Sequence, residues 1–200
     1  MTIDKNGLRK KCLKSLKVSS KHNELYRNSL LNKKLLHSIK SKKRLKILFY
    51  YPLKMEANIL KVLQEIRKKH DVYLPFMEKQ SFKMVIFRLP LQKKKFNIYE
   101  AGNSHQDIKN IDIAIVPIVG IDGNLQRVGF GKGMYDRFFE KLQKKPYIIF
   151  TQKKLCFTKE KICDDYDVTC DLLLTPTKTI QNRKIKNVKR NTLRRWNGYR

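Results

Sequence analysis

The sequence predicts an α/β domain, a mostly parallel sheet flanked by helices. Three observations carry that prediction. Short apolar runs recur along the chain, and several stop at a proline; the stretches between them place apolar residues at helical spacing; and 200 residues that are 41% hydrophobic can build one core, which excludes wholesale disorder.

Taken in order, Leu8, Cys12 and Leu16 predict an amphipathic helix over roughly 4–17, and Leu25, Leu30, Leu31, Leu35 and Leu36 a second over roughly 20–41. Ile47 to Tyr51 form an aromatic-rich strand ended by Pro52, and Ile59, Leu60, Leu63 and Ile66 continue as a helix to Lys69. Val72 to Leu74 before Pro75, and Met84 to Leu89 before Pro90, read as strands. Ile111 to Val116 before Pro117 is the strongest strand, and its unbroken apolar character predicts burial on both faces. A helix over 135–142 and strands over 147–151 and 172–175 complete the alternation. The expected organisation is one domain over 1–177 and a basic, disordered tail over 178–200.

The chain carries 46 Lys and Arg against 17 Asp and Glu, a formal charge of +29. Residues 1–45 hold 14 basic and 2 acidic residues, and residues 178–200 hold 9 and none, so the excess sits at the two ends. No apolar stretch is long enough to span a membrane, and no short apolar leader follows Met1, so a cytoplasmic location is expected. Cys12, Cys156, Cys163 and Cys170 lie far apart with no C-x-x-C pair, which predicts reduced thiols and no zinc site. The four histidines are scattered and support no catalytic triad.

The informative stretch runs from Val116 to Phe139. Gly129, Gly131 and Gly133 stand at alternate positions between a predicted strand and a predicted helix. Glycines let backbone N–H groups approach an anion, and the following helix presents its positive end. Arg127 and Lys132 add charged donors. The loop is not a Walker A motif, because Gly133 follows Lys132 where Ser or Thr is required, and it lacks the G-x-G-x-x-G spacing.

The segment with Pro117, Asp122, Arg127, Gly129, Gly131, Gly133, Tyr135 and Asp136 resembles the motif of the 5-formyltetrahydrofolate cyclo-ligase family. Lys5, Leu8 and Arg9 resemble that family's N-terminal Lys-x-x-Leu-Arg, Glu56 its acidic residue after the first strand, and Phe96 to Glu100 its aromatic-x-Ile-x-Glu segment. Gln152 and Asp167 match downstream positions. The resemblance runs over about residues 5 to 176 and implies a Rossmann-like layered fold of the NagB/RpiA/CoA transferase-like type.

It also implies an ATP- and Mg2+-dependent cyclisation of 5-formyltetrahydrofolate, polyglutamylated or not, to 5,10-methenyltetrahydrofolate. By that resemblance Lys5, Arg9, Arg127, Gly129, Gly131, Lys132, Gly133 and Tyr135 would bind ATP, with Arg127 and Lys132 also catalytic. Asp136 and Asp167 would hold Mg2+, directly or through water. Tyr51, Glu56, Phe96 and Met134 would line the folate site. Three positions depart from the pattern: Met134 replaces a Tyr, Ile121 a Phe and Ala101 a Pro.

Each residue also admits a plain structural reading. Asp136 suits a helix start, Asp167 a solvated acidic cluster with Asp164, Asp165 and Asp171, Glu56 a first-turn acid, and Tyr51 and Phe96 core aromatics. A second function class, nucleic-acid binding through the basic N-terminal block and tail, rests on charge alone, since no RNP-like pattern or finger spacing is present. No membrane partner is expected.

Overall fold

The computed structural model describes residues 3–18, 23–93, 99–100, 102, 108 and 110–182. The elements in chain order are α1 (Lys5–Val18), α2 (Glu24–Ser38), β1 (Lys46–Leu48), α3 (Leu60–Ile66), β2 (Asp71–Glu78), β3 (Ser81–Ile86), β4 (Gln92–Lys93) and β5 (Tyr99–Glu100). They continue with β6 (Ile113–Pro117), β7 (Gly120–Ile121), β8 (Arg127–Val128), α4 (Met134–Glu140), β9 (Tyr147–Thr151), β10 (Leu172–Leu174) and β11 (Thr179–Gln181).

The expected α/β fold is present. Seven strands form one sheet in the order β11-β10-β9-β6-β1-β2-β3. The five from β10 to β2 run parallel, and β3 and β11 close the two edges antiparallel. From β1 the chain crosses to β2 on one side and later to β6 on the other. The topology therefore reverses between β1 and β6, and a crevice opens at the carboxyl ends of such a pair.

β6 is buried at all five positions, as its continuous apolar run predicts. One core cluster lies under α2 and α3 and includes Leu31, Leu35, Phe49, Val62 and Leu63; another gathers Leu48, Val116, Phe138, Ile148 and Phe150. α1 buries Leu8, Cys12 and Leu16, the three residues at helical spacing, against Val119 and Val128.

Several boundaries differ from expectation for identifiable reasons. β2 runs through Pro75 to Glu78, because β1 pairs only as far as Tyr73 and, among the described residues, β3 is the strand hydrogen-bonded to it beyond that point. A proline without a donor is tolerated where a strand has become an edge. β1 stops at Leu48, although Phe49 and Tyr50 stay buried as the chain turns into the crevice. Thr179–Gln181, expected as the beginning of the tail, pairs with β10; residues 183–200 lie outside the described residues.

The cysteine expectation needs correction. α1 lies across β7, so Cys12 meets Cys156, 144 residues away, and the two form a disulfide, while Cys163 and Cys170 are free. Spacing in sequence carried no sign of this pairing because the contact is purely tertiary. The bond ties α1 to the loop after β9.

Candidate functional site

Two clefts lie side by side at the carboxyl ends of β1 and β6. The first encloses about 320 Å3 and is largely apolar. Its walls come from the sheet: Tyr50 and Tyr51 follow β1, Pro75 and Met77 belong to β2, Phe82 to β3, and Pro117 ends β6. Tyr51 leans on Tyr99 with ring centroids 5.0 Å apart. Phe82 packs on Tyr135 at 5.0 Å and stacks on Phe138 at 4.3 Å, so this wall is continuous with the core.

Glu56 lines the same cleft from the loop between β1 and α3. Its Oε2 accepts a hydrogen bond from the Leu53 N–H at 2.8 Å. The buried Tyr50 hydroxyl pins the loop, donating to the Ala57 carbonyl at 2.8 Å and meeting Thr151 Oγ1 at 2.9 Å. Burial pushes the Glu56 carboxyl up to about 7, although the Leu53 N–H and the Arg127 charge act in the other direction.

The second cleft, about 470 Å3, is polar. α1 contributes Lys5 and Arg9, the loop between β8 and α4 contributes Gly129, Gly131, Lys132 and Gly133, and Asp136 and Asp167 face them. Arg9 Nε donates to the Gly129 carbonyl at 2.8 Å, joining helix to loop. The Lys5 ammonium bonds Asp167, reaches Asp164 at 3.1 Å, and lies 5.4 Å from the centre of the Tyr166 ring. Burial lowers its proton affinity, but the two carboxylates outweigh that and leave the Lys5 pKa raised. Two glycines are needed where they stand. A Cβ at Gly129 would lie 2.5 Å from the Arg127 guanidinium, and Gly131 has φ +98°.

Arg127, Lys132 and Gly133 line both clefts. Arg127 is buried; its Nε donates to the Pro117 carbonyl and its Nη1 to Asp136 Oδ2, each at 3.3 Å, while the guanidinium covers the Tyr135 ring at 4.9 Å. β8 holds it in place by pairing with β7 and by the Arg127 N–H bond to the Val168 carbonyl at 2.8 Å. The fully buried Asp122 accepts four backbone N–H groups, from Asn124, Gln126, Ile162 and Cys163, and so joins this hairpin to the loop that carries Asp164 and Asp167. A crevice with one apolar chamber and one cationic, glycine-lined chamber suits two ligands, one flat and aromatic and one polyanionic.

The sequence profile of the 5-formyltetrahydrofolate cyclo-ligase family matches residues 1–176. The chain belongs to that family. It is 28% identical over 176 residues to the 5-formyltetrahydrofolate cyclo-ligase of Mycoplasma pneumoniae, covering 86% of this chain and 98% of the relative. It is 26% identical over 191 residues to the cyclo-ligase of Mus musculus, covering 85% and 92%. Among solved structures, the NMR structure of Aquifex aeolicus 5,10-methenyltetrahydrofolate synthetase superposes with a TM-score of 0.69 at 24% identity, over 90% of this chain and 93% of the other. The synthetase from Mycoplasma pneumoniae superposes with a TM-score of 0.67 at 24% identity, over 87% and 99%. At that identity the structural likeness concerns the fold.

Seen against the cyclo-ligase motif, Lys5, Arg9, Arg127, the three glycines, Lys132, Asp136 and Asp167 converge on the polar cleft, and Tyr51, Glu56 and Met134 on the apolar one. Tyr135, expected beside ATP, lines the apolar cleft instead, because the first turn of α4 directs it onto Phe82. Phe96 and Ala101 lie outside the described residues. Ile121 is a buried core residue.

The structure adds Tyr50, Tyr99, Phe130, Arg137 and Tyr166 to the two clefts. Each adjoins or nearly adjoins a residue that sequence had marked, and neighbourhood was the one available signal. Gln152 has a structural task, donating to the Val119 carbonyl at 2.6 Å and accepting from the Cys156 N–H at 3.1 Å. Among the described residues, no group of three or more His, Cys, Asp or Glu side chains gathers to hold a metal, and no helix is long and apolar enough to cross a membrane.

Proposed function

We propose that this protein uses ATP to close the ring of 5-formyltetrahydrofolate, giving 5,10-methenyltetrahydrofolate, ADP and phosphate. The observation that carries the reading is the wall of Arg127, Lys132 and Gly133 common to the two clefts. The reaction needs the formyl oxygen and the γ-phosphoryl group to meet, and a shared wall is where they would.

The 5-formyl oxygen attacks the γ-phosphorus, the bond to the bridging oxygen breaks, and ADP leaves. N10 then attacks the carbon of the resulting imidate phosphate and gives up its proton; the C–O bond breaks and phosphate departs, leaving the methenyl bridge. No covalent protein intermediate is required, in keeping with the absence of a sequence-encoded triad. The protein's part is orientation and charge neutralisation. Lys5, Arg9 and Lys132, with backbone N–H groups of the glycine loop, receive the triphosphate. Glu56 hydrogen-bonds the pterin ring, and Tyr51 and Met134 flank it. Arg127, fixed by Pro117 and Asp136, keeps its charge at the junction where negative charge passes from formyl oxygen to phosphate.

Asp136 and Asp167 fit Mg2+ as a pair of carboxylates that phosphate oxygens would supplement, the donor set this ion commonly takes in nucleotide sites. Mg2+, when bound, neutralises phosphate charge. In the protein alone these carboxylates are paired with Arg127 and Lys5. The purified protein, given 5-formyltetrahydrofolate, ATP and Mg2+, is expected to generate the absorbance of methenyltetrahydrofolate. A folded preparation that yields none, while a cyclo-ligase control does, sinks the proposal.

A further inference from the structure

The opposite end of the sheet has a different character. β2, β1, β6 and β9 enter it side by side, and the segments that lead into three of them are basic. Lys40, Lys42, Lys43, Arg44 and Lys46 precede or begin β1, and all are exposed. Arg67, Lys68 and Lys69 lead into β2, and Lys144 and Lys145 into β9; these too are exposed. β3 runs back to this end and is followed by the exposed Arg88.

The acids nearby are engaged. Glu65 pairs with Lys68 at 2.8 Å, Asp71 with Arg44 at 2.7 Å, and Asp112 accepts the Lys46 N–H at 2.8 Å. Glu56, Asp136, Glu140, Asp164 and Asp167 gather around the clefts at the carboxyl end. At the carboxyl end the cations of the polar cleft stand among these acids, whereas at the amino end the lysines outnumber the acids and most have no acidic partner of their own among the described residues. β11 also returns to the amino end, where Gln181 pairs with Leu172, and from Asn182 the sequence continues through Arg183, Lys184, Lys186, Lys189 and Arg190 with no Asp or Glu to residue 200.

We infer that the amino end of the sheet is a binding face for the phosphodiester backbone of a nucleic acid. The inference stands apart from the cyclo-ligase reading, since the face and the clefts lie at opposite ends of the strands. From β3 to β11 the row of strand ends spans about 29 Å at a spacing of about 4.8 Å per strand, enough to follow several successive phosphates. A nucleic acid fits better than a membrane surface. An apolar face beside the charges strengthens membrane-surface binding, and among the described large apolar residues that are exposed, Leu89 is the one that adjoins these segments.

The test is fluorescence anisotropy with a labelled DNA duplex of about 20 base pairs and an RNA strand of similar length, titrated with the full chain over a range of salt. The parent is expected to bind with an affinity that falls steeply with salt. The variant Lys42→Glu/Lys43→Glu/Lys69→Glu/Lys144→Glu is expected to bind at least about tenfold more weakly and to lower the salt slope by about three to four. Its melting temperature and cyclo-ligase rate should match the parent, which separates a failed fold or a failed enzyme assignment from a failed face. Four results overturn the inference: a parent that does not bind; a variant with unchanged affinity and slope; binding lost only on reversing Arg194 and Arg195; or tighter binding to phosphatidylserine vesicles than to either nucleic acid.

Discussion

The two clefts share three residues yet are built from opposite materials. The apolar cleft is walled by strand ends and by aromatic rings that belong to the core, as Phe82 does when it stacks on Phe138. The polar cleft is assembled from α1, a glycine loop and an acidic loop, joined by ion pairs and backbone hydrogen bonds. A side chain in the first supports the fold and the ligand together, whereas a side chain at the rim of the second mainly presents charge. Substitutions in the apolar cleft should thus move stability and folate affinity together, and those in the polar cleft should act on ATP almost alone.

Arg127 is the hardest test because it belongs to both. Arg127→Ala is expected to lower kcat by about 10²–10³, the usual loss for one preorganised charge-stabilising donor. It also removes the ion pair of the partly buried Asp136, whose Oδ1 still accepts the Val168 N–H, at a cost of about 1–3 kcal/mol visible in denaturant melts. If only one ligand's affinity changes and kcat holds, the clefts do not function as one site. Lys132→Ala comes next. Losing one charge-assisted phosphate contact should raise KM for ATP by about 10- to 100-fold with the melting temperature little changed, and KM for folate should rise by less, since Lys132 also borders the apolar cleft. An equal rise in KM for folate would blur the division.

The sequence made one cleft far more legible than the other. The polar cleft depends on residue types that declare themselves, such as alternating glycines with Arg127 and Lys132, and the distant Lys5 and Arg9 followed from the family resemblance. The apolar cleft uses Tyr50 and Phe82, which are themselves buried core residues, and Pro75 and Met77, partly buried apolar residues of β2, and none of the four can be told in sequence from ordinary packing residues. β6 and the three buried positions of α1 followed from periodicity. The Cys12–Cys156 bond and the return of Thr179–Gln181 to the sheet did not, since each depends on where the chain lies after folding.

Glu56 sharpens the comparison through pH. Its folded-state pKa of about 7 lies above the ordinary value of 4.5, so the fold favours the protonated carboxyl. The contribution to stability is complete below the ordinary value and is lost as pH rises through about 7. The protein should lose roughly 1–3 kcal/mol from this group across that window, less than full burial would give because the carboxyl borders an open cleft. Glu56→Gln should remove that part of the slope in melts measured at successive pH values. A slope identical to the parent's would place the Glu56 carboxyl in water, outside the apolar cleft's interior.

The smallest expected effect comes from Met134, where this chain departs from its family. Met134 lines the apolar cleft at the first residue of α4 and packs against the core cluster that contains Phe138. A thioether keeps the apolar contact of the family's Tyr but offers no hydroxyl. Met134→Tyr places a hydroxyl donor at the rim of the apolar cleft, and one hydrogen bond contributes about 1 kcal/mol, or roughly fivefold in affinity. KM for 5-formyltetrahydrofolate should fall by about that factor while KM for ATP stays constant, because Met134 does not line the polar cleft. If the added ring instead raises KM for folate and lowers the melting temperature, the chamber is already filled to its packing limit, and Met134 is a requirement of this core.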